Sequence, residues 1–193
     1  MLHALTRTAA ALALAAALPA TAHIQVFTAE LSGLAESPPV TTTGHGTVRV
    51  TIDDHDFTMR VEATFADLVG TVTASHIHCC TSAPFSGNAG VATPLPSFPG
   101  FPTGVTSGSY DQTFDLTQAS SWNPAYITAN GGTPANAFSA LVTGLGDGRA
   151  YLNIHTSFVG SGEIRGVLAA VPEPGTTAML SAGLALLALR RRR

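Results

Sequence analysis

Residues 47–62 read TVRVTIDDHDFTMRVE. Apolar Val48, Val50 and Ile52 alternate with Thr47, Arg49 and Thr51. After Asp53-Asp54-His55-Asp56 the alternation resumes, with Phe57, Met59 and Val61 set against Thr58, Arg60 and Glu62. Successive strand side chains point to opposite faces. Period two on both sides of a polar turn therefore predicts a hairpin with one buried face. The three aspartates are read as turn formers rather than as calcium ligands.

Working outward, segments 24–32, 71–79, 108–116, 149–156 and 162–169 also read as strands. About seven strands with polar connections predict an all-β domain, an antiparallel β-sandwich with Greek-key connections. Residues 81–107 are rich in Pro, Gly and Ser and read as a long loop. A loop of that length inside a compact domain is usually functional or loosely ordered. Thr133-Pro134 has the form of an N-cap followed by proline at the first helical position. Phe138, Leu141, Val142 and Leu145 follow at helical spacing, which predicts one short helix near 134–145.

The chain of 193 residues carries two further segments that do not belong to this domain. At the front, Arg7 charges a short polar start, Thr8 to Leu18 is apolar, Pro19 breaks it, and Ala20-Thr21-Ala22 is a small-residue cleavage site. Residues 1–22 are thus expected to be a secretory signal peptide, with His23 as the new amino terminus. At the back, Pro172-Glu173-Pro174 is a stiff break, Thr176 to Leu189 is apolar, and Arg190, Arg191, Arg192 and Arg193 close the chain. The apolar span falls short of the roughly 20 residues of a full crossing, and its arginines would stay on the cytoplasmic side. Residues 23–170 remain as one domain and 171–193 as a tail.

Charged residues are 11% of the chain and the net charge is −3. There is no lysine, and four of the nine cationic residues are the terminal arginines. The domain itself is mildly acidic, so a nucleic-acid partner is not expected.

The candidate chemistry lies in three places. Folding 149–156 onto 162–169 about Gly160 puts Asn153 opposite Arg165 and His155 opposite Glu163. These four form a candidate polar ligand-binding face, while Leu152, Ile154, Ile164 and Leu168 enter the core. As plain cross-strand pairs they would contribute only about 0.2–1 kcal/mol each. His76 and His78 lie two apart on one strand, so both rings share a face. With His155 as a third ligand they could hold zinc or copper. Val72 and Ala74 share that face, which implies partial burial and neutral, ligand-capable rings. Cys79 and Cys80 are the only cysteines. In an oxidising compartment they are candidates for a disulfide between neighbours, with free thiols, metal ligation beside His78 or links to another chain as alternatives. No nucleophile elbow, phosphate loop or helix-borne zinc protease motif occurs, so an enzyme is not expected.

Three resemblances follow from these motifs. Pro172-Glu173-Pro174, the apolar segment and the arginine cluster resemble the PEP-CTERM sorting tail of Gram-negative bacteria. That resemblance implies exosortase as a processing partner, a transient stay in the inner membrane as a transmembrane helix, and release or attachment at the cell surface. Exopolysaccharide or surface proteins would be its neighbours there, in the setting of a biofilm matrix. The domain resembles the CHRD (chordin-like) family from about Phe27 to Leu168. The matching pieces are Thr28-Ala29-Glu30-Leu31-Ser32-Gly33 with Pro38-Pro39, Ala74-Ser75-His76-Ile77-His78, Ala150-Tyr151-Leu152-Asn153-Ile154-His155-Thr156 and Gly162-Glu163-Ile164-Arg165-Gly166. It implies an all-β extracellular domain of the immunoglobulin or superoxide-dismutase type of sandwich. The His-x-His strand is similar to the copper strand of Cu/Zn superoxide dismutases. Residues 81–150 hold no histidine, where that family's bridging and zinc-site histidines belong, and this argues against dismutase activity.

The expectation is an exported, non-enzymatic β-domain at the bacterial surface or in its matrix, binding a partner or polar ligand. No cofactor is certain; zinc or copper are the candidates. The alternative is a histidine-ligated copper or zinc protein with redox or hydrolytic activity.

Overall fold

The computed structural model describes residues 24–172. The expected signal peptide with His23, and from the tail Glu173, Pro174 and Arg190 to Arg193, lie outside the described residues.

The strands are β1 (Ile24–Ser32), β2 (His45–Asp53), β3 (Thr58–Ala66), β4 (Val72–Cys79), β5 (Gly108–Asp115), β6 (Ala150–Thr156), β7 (Ile164–Val167) and the short β8 (Ala169–Ala170). All pairs between them are antiparallel. The all-β antiparallel fold is therefore as expected. The two layers of the expected sandwich take the form of one curled sheet, in the order β4-β6-β7-β1-β2-β3-β5, with β8 beside β1. Curling lets one face bury itself. Phe27 and Leu31 of β1, Val48, Val50 and Ile52 of β2, Met59 and Val61 of β3, Ile77 of β4, Leu152 and Ile154 of β6 and Ile164 of β7 all enter one core. Burial of apolar side chains is worth about 1.5–3 kcal/mol each for those of Val to Phe size, so this stripe dominates the fold's stability.

The opening hairpin forms with Asp53 opposite Thr58. Asp53 Oδ1 accepts from the backbone N–H groups of His55 and Asp56, so the aspartate shapes the turn. Phe57 departs from the expected buried face. It lies in the turn at φ 53°, 41% exposed, with its ring 5.1 Å from that of Phe138.

The expected helix is α2 (Pro134–Gly146), capped by the Thr133 side chain on the Asn136 N–H. A second helix precedes it, α1 (Pro124–Ala129), capped in the same way by Asn123 on the Ala125 N–H. Phe138, Leu141 and Leu145 of α2 are buried in the common core. Residues 81–107 form the expected long connection, yet it is well seated: Ala92, Phe98 and Phe101 are buried. Among the described residues no helix is long and apolar enough to cross a membrane.

One consequence of the strand order positions the site. β4 and β6 are neighbours although a long stretch of chain separates them, and β7 lies on the other side of β6.

Candidate metal centre

In the β4–β6 ladder Ala74 pairs with His155, His76 with Asn153 and His78 with Tyr151. Asn153 pairs in turn with Arg165 of β7. Cross-strand partners share a face. His76, His78, Tyr151, Asn153, His155 and Arg165 therefore stand on one side of the sheet, opposite the core side occupied by Ile77, Leu152 and Ile154. This polar side is roofed by the 33–40 segment, the long connection and the 157–162 turn.

The three histidines converge. Their ring centroids are 5.2 to 5.9 Å apart, and one ligand atom from each lies within 4.8 Å of the others. Each ring is held by a backbone carbonyl. His76 Nε2 meets Pro96 O at 2.7 Å, His78 Nδ1 meets Ala89 O at 2.9 Å, and His155 Nδ1 meets Gly160 O at 3.0 Å. A carbonyl only accepts, so these three nitrogens carry the protons. The opposite nitrogens, His76 Nδ1, His78 Nε2 and His155 Nε2, are left as lone pairs. All three are buried without a hydrogen-bond partner. Burial, only partly offset by the carbonyl bonds, lowers the pKa of all three rings, that of His78 to about 4. They are neutral near pH 7.

Orphaned buried acceptors cost about 1–3 kcal/mol each. Three of them aimed at one another are therefore unfavourable unless something shared meets them. A zinc or copper ion at about 2.1 Å from each nitrogen would do so, and it would draw the nitrogens to about 3.4 Å of one another. The carbonyl behind each ring is the arrangement that fixes a ligating tautomer. The residues present thus fit a transition-metal ion.

The rest of the polar face supports this cluster. The His78 ring stacks on that of Tyr151 at 4.8 Å with 4° between planes, and the Arg165 guanidinium lies 4.6 Å over the same tyrosine ring. Arg165 donates from Nε to Ala35 O and from Nη1 to Asn88 Oδ1, and it pairs with Glu36 at 3.8 Å. It thereby ties two roofing segments to the sheet. Burial pushes the Glu36 carboxyl up to about 7, against the pull of Arg165 and of a hydrogen bond from the Asn153 side chain. A cleft of about 310 Å³ opens here, lined among others by Glu36, His78, Tyr151 and Asn153. A wider trough of about 780 Å³ crosses β1, β2, β3 and β5, far from the histidines; its Arg49, Glu62 and Asp111 are engaged in ion pairs.

The expected quartet does not assemble as an open polar face. Asn153 and Arg165 pair as expected, but both are buried, and His155 joins the histidine cluster. Glu163 leaves the group. Its carboxylate accepts from Thr42 Oγ1 and the Val69 N–H on one oxygen, and from Thr156 Oγ1 and the Gly70 N–H on the other. Thr156 projects to the side opposite His155, so Glu163 lies there too. The cause is the turn. Regular pairing stops at Ile154 and Ile164, and Gly162 at φ +130° takes the chain out of period two just before Glu163. Cys79 and Cys80 are joined in a disulfide, which rests against Gly144 of α2. The cysteines are therefore not metal ligands here. Pro172, the first residue of the Pro-Glu-Pro break, is exposed and directly follows Val171, whose N–H binds Val26 O at 2.8 Å.

The sequence expectation does not include Glu36, Asn88 or Tyr151. Tyr151 does carry a signal, since it shares strand face and period with Asn153 and His155. The three carbonyl partners carry no sequence signal, because every residue has one.

The profile of the CHRD domain matches residues 27–168, and that of the PEP-CTERM protein-sorting motif matches residues 170–193. No curated protein and no solved structure matches the chain.

Proposed function

The chain belongs to the CHRD domain family, and from that membership and the site geometry we propose a surface domain that holds one zinc or copper ion through His76 Nδ1, His78 Nε2 and His155 Nε2. Its PEP-CTERM motif marks an exported protein handled by exosortase. The carrying observation is the set of three converging, buried and unpartnered ring nitrogens. Three neutral imidazoles suit zinc and copper rather than calcium or magnesium. The ion supplies a Lewis-acidic binding point when bound. The chain's own part is to fix the tautomers through Pro96, Ala89 and Gly160.

The domain is read as a binding module without turnover. The unprotonated nitrogen of each ring has no hydrogen-bond partner among the described residues, so no serine or cysteine is paired with it as a nucleophile. Residues 1–22 act as the signal peptide, 23–170 as the domain and 171–193 as the removable tail.

Elemental analysis tests the metal. After exposure to zinc or copper and desalting, the purified protein should retain about one equivalent, and its melting temperature should rise with metal concentration. His76→Ala/His78→Ala should retain less than about a tenth of that and show no such rise. Equal retention by the variant, or none by the parent protein, would sink this reading. Intact mass tests the tail. The surface form should lack everything after about Pro174, and a full-length species in the outer fraction would refute the processing.

A further inference from the structure

The cleft beside the histidines bears two more buried acceptors without a partner, Glu36 Oε1 and Asn153 Oδ1. Both residues are more than nine-tenths buried. Asn153 stands in the ladder directly opposite His76 and two positions from His155, so it belongs to the row of the metal ligands. Its amide is held in place. The whole group packs so closely under Gly162 that a Cβ there would overlap it. The oxygen of this amide therefore presents a fixed lone pair, as does the free oxygen of Glu36. An amide oxygen is a poor ligand for zinc or copper beside three imidazoles, but a good hydrogen-bond acceptor. The cationic group nearest them, Arg165, is already engaged by Ala35, Asn88 and Glu36.

Three nitrogen ligands leave at least one coordination position for a non-protein ligand. His78 lines the cleft, so the cleft is the way in. Resting on the metal reading above, we infer that this cleft is the exogenous-ligand site, and that it selects small ligands bearing hydrogen on the ligating atom. Water, hydroxylamine and small amines are of this class, while azide and thiocyanate only accept. Asn153 Oδ1 and Glu36 Oε1 receive the hydrogens. A site built to bond an N–H or O–H rejects an analogue lacking it, because its own buried acceptors are then left unpaired.

The test uses the purified chain loaded with cobalt(II), whose visible bands report the ligands. It is run well above the Glu36 midpoint of about 7. Hydroxylamine and azide are titrated in turn. The parent protein should bind hydroxylamine at least about tenfold more tightly than azide. Asn153→Leu and the near-isosteric Glu36→Gln should each reduce that ratio about tenfold while keeping one equivalent of cobalt. Should Asn153→Leu fail to fold, Glu36→Gln and the parent preference decide the matter alone. A parent ratio near one, or an unchanged ratio in folded variants, would overturn this inference and leave the metal site standing. Failure of the parent to take up cobalt, zinc or copper would overturn the metal reading and this inference with it.

Discussion

Glu163→Ala is expected to lower folding stability by about 3–5 kcal/mol, and Glu163→Gln by about 1–3 kcal/mol. The carboxylate is fully buried and closes four hydrogen bonds that join the 42–44 and 68–70 segments to the β6–β7 turn. Alanine leaves four donors without an acceptor. Glutamine keeps the shape but has one oxygen for two backbone N–H groups. The Thr42 and Thr156 hydroxyls can rotate to accept from its NH₂, whereas Val69 or Gly70 must then face it donor to donor. Burial alone would raise the Glu163 pKa, but these four bonds outweigh it and hold it below the ordinary 4.5. The stabilisation is therefore complete above 4.5 and is lost as pH falls through the lower folded value. Urea unfolding at neutral pH should show the full gap between parent protein and Glu163→Gln, and the gap should narrow in acid. A gap that does not change with pH would contradict the clamp. Metal retention per folded molecule should be unaffected, since Glu163 lies on the side away from His155.

Glu163 sits where a reading by period fails, and the reason is specific. Alternation is reliable while the ladder continues, so β1, the β2–β3 hairpin and the facing of Leu152, Ile154 and Ile164 were legible. It fails across a turn. Period two places Phe57 in β3 although it ends the turn, and it places Glu163 on a face from which the Gly162 turn rotates it away. The histidine cluster was half legible. His76 and His78 must share a face on any strand. That His155 joins them depends on β6 lying beside β4, a non-local pairing with no mark in either segment. The α1 cap, Asn123-Pro124, has the same form as Thr133-Pro134, but six residues are too few for a helical period to show.

The long connection links these local features to the site. Its composition suggested a loop, and its role is to deliver two of the three carbonyls that orient the histidines, Ala89 O and Pro96 O. Tautomer control thus comes from chain path rather than from side-chain identity. Substitutions in residues 88–97 that keep the path should spare metal uptake, while the ligands themselves tolerate none.

Gly144→Ala is the second large effect, and its sign is the informative part. Inside an exposed helix, glycine to alanine normally stabilises by about 1 kcal/mol. Here a Cβ at Gly144 would overlap both sulfurs of the Cys79–Cys80 disulfide. Neither partner can yield easily, because Gly144 is buried in α2 and Cys79 is fixed in β4 opposite Ala150. Overpacking of this kind costs about 1–3 kcal/mol, which exceeds the propensity gain. Set against the propensity gain, a net loss of about 1 kcal/mol corresponds to a fall of roughly 2–4 °C in melting temperature. Gly146→Ala is the control, since a Cβ there meets open space, and it should not destabilise. In a Cys79→Ala/Cys80→Ala background the obstruction is gone, so Gly144→Ala should become neutral or stabilising. A penalty that persists without the sulfurs would show that the helix, rather than its seat against the disulfide, requires glycine. Because Cys79 follows His78 directly, displacing this seat should also weaken metal retention, and it should do so only while the disulfide is present.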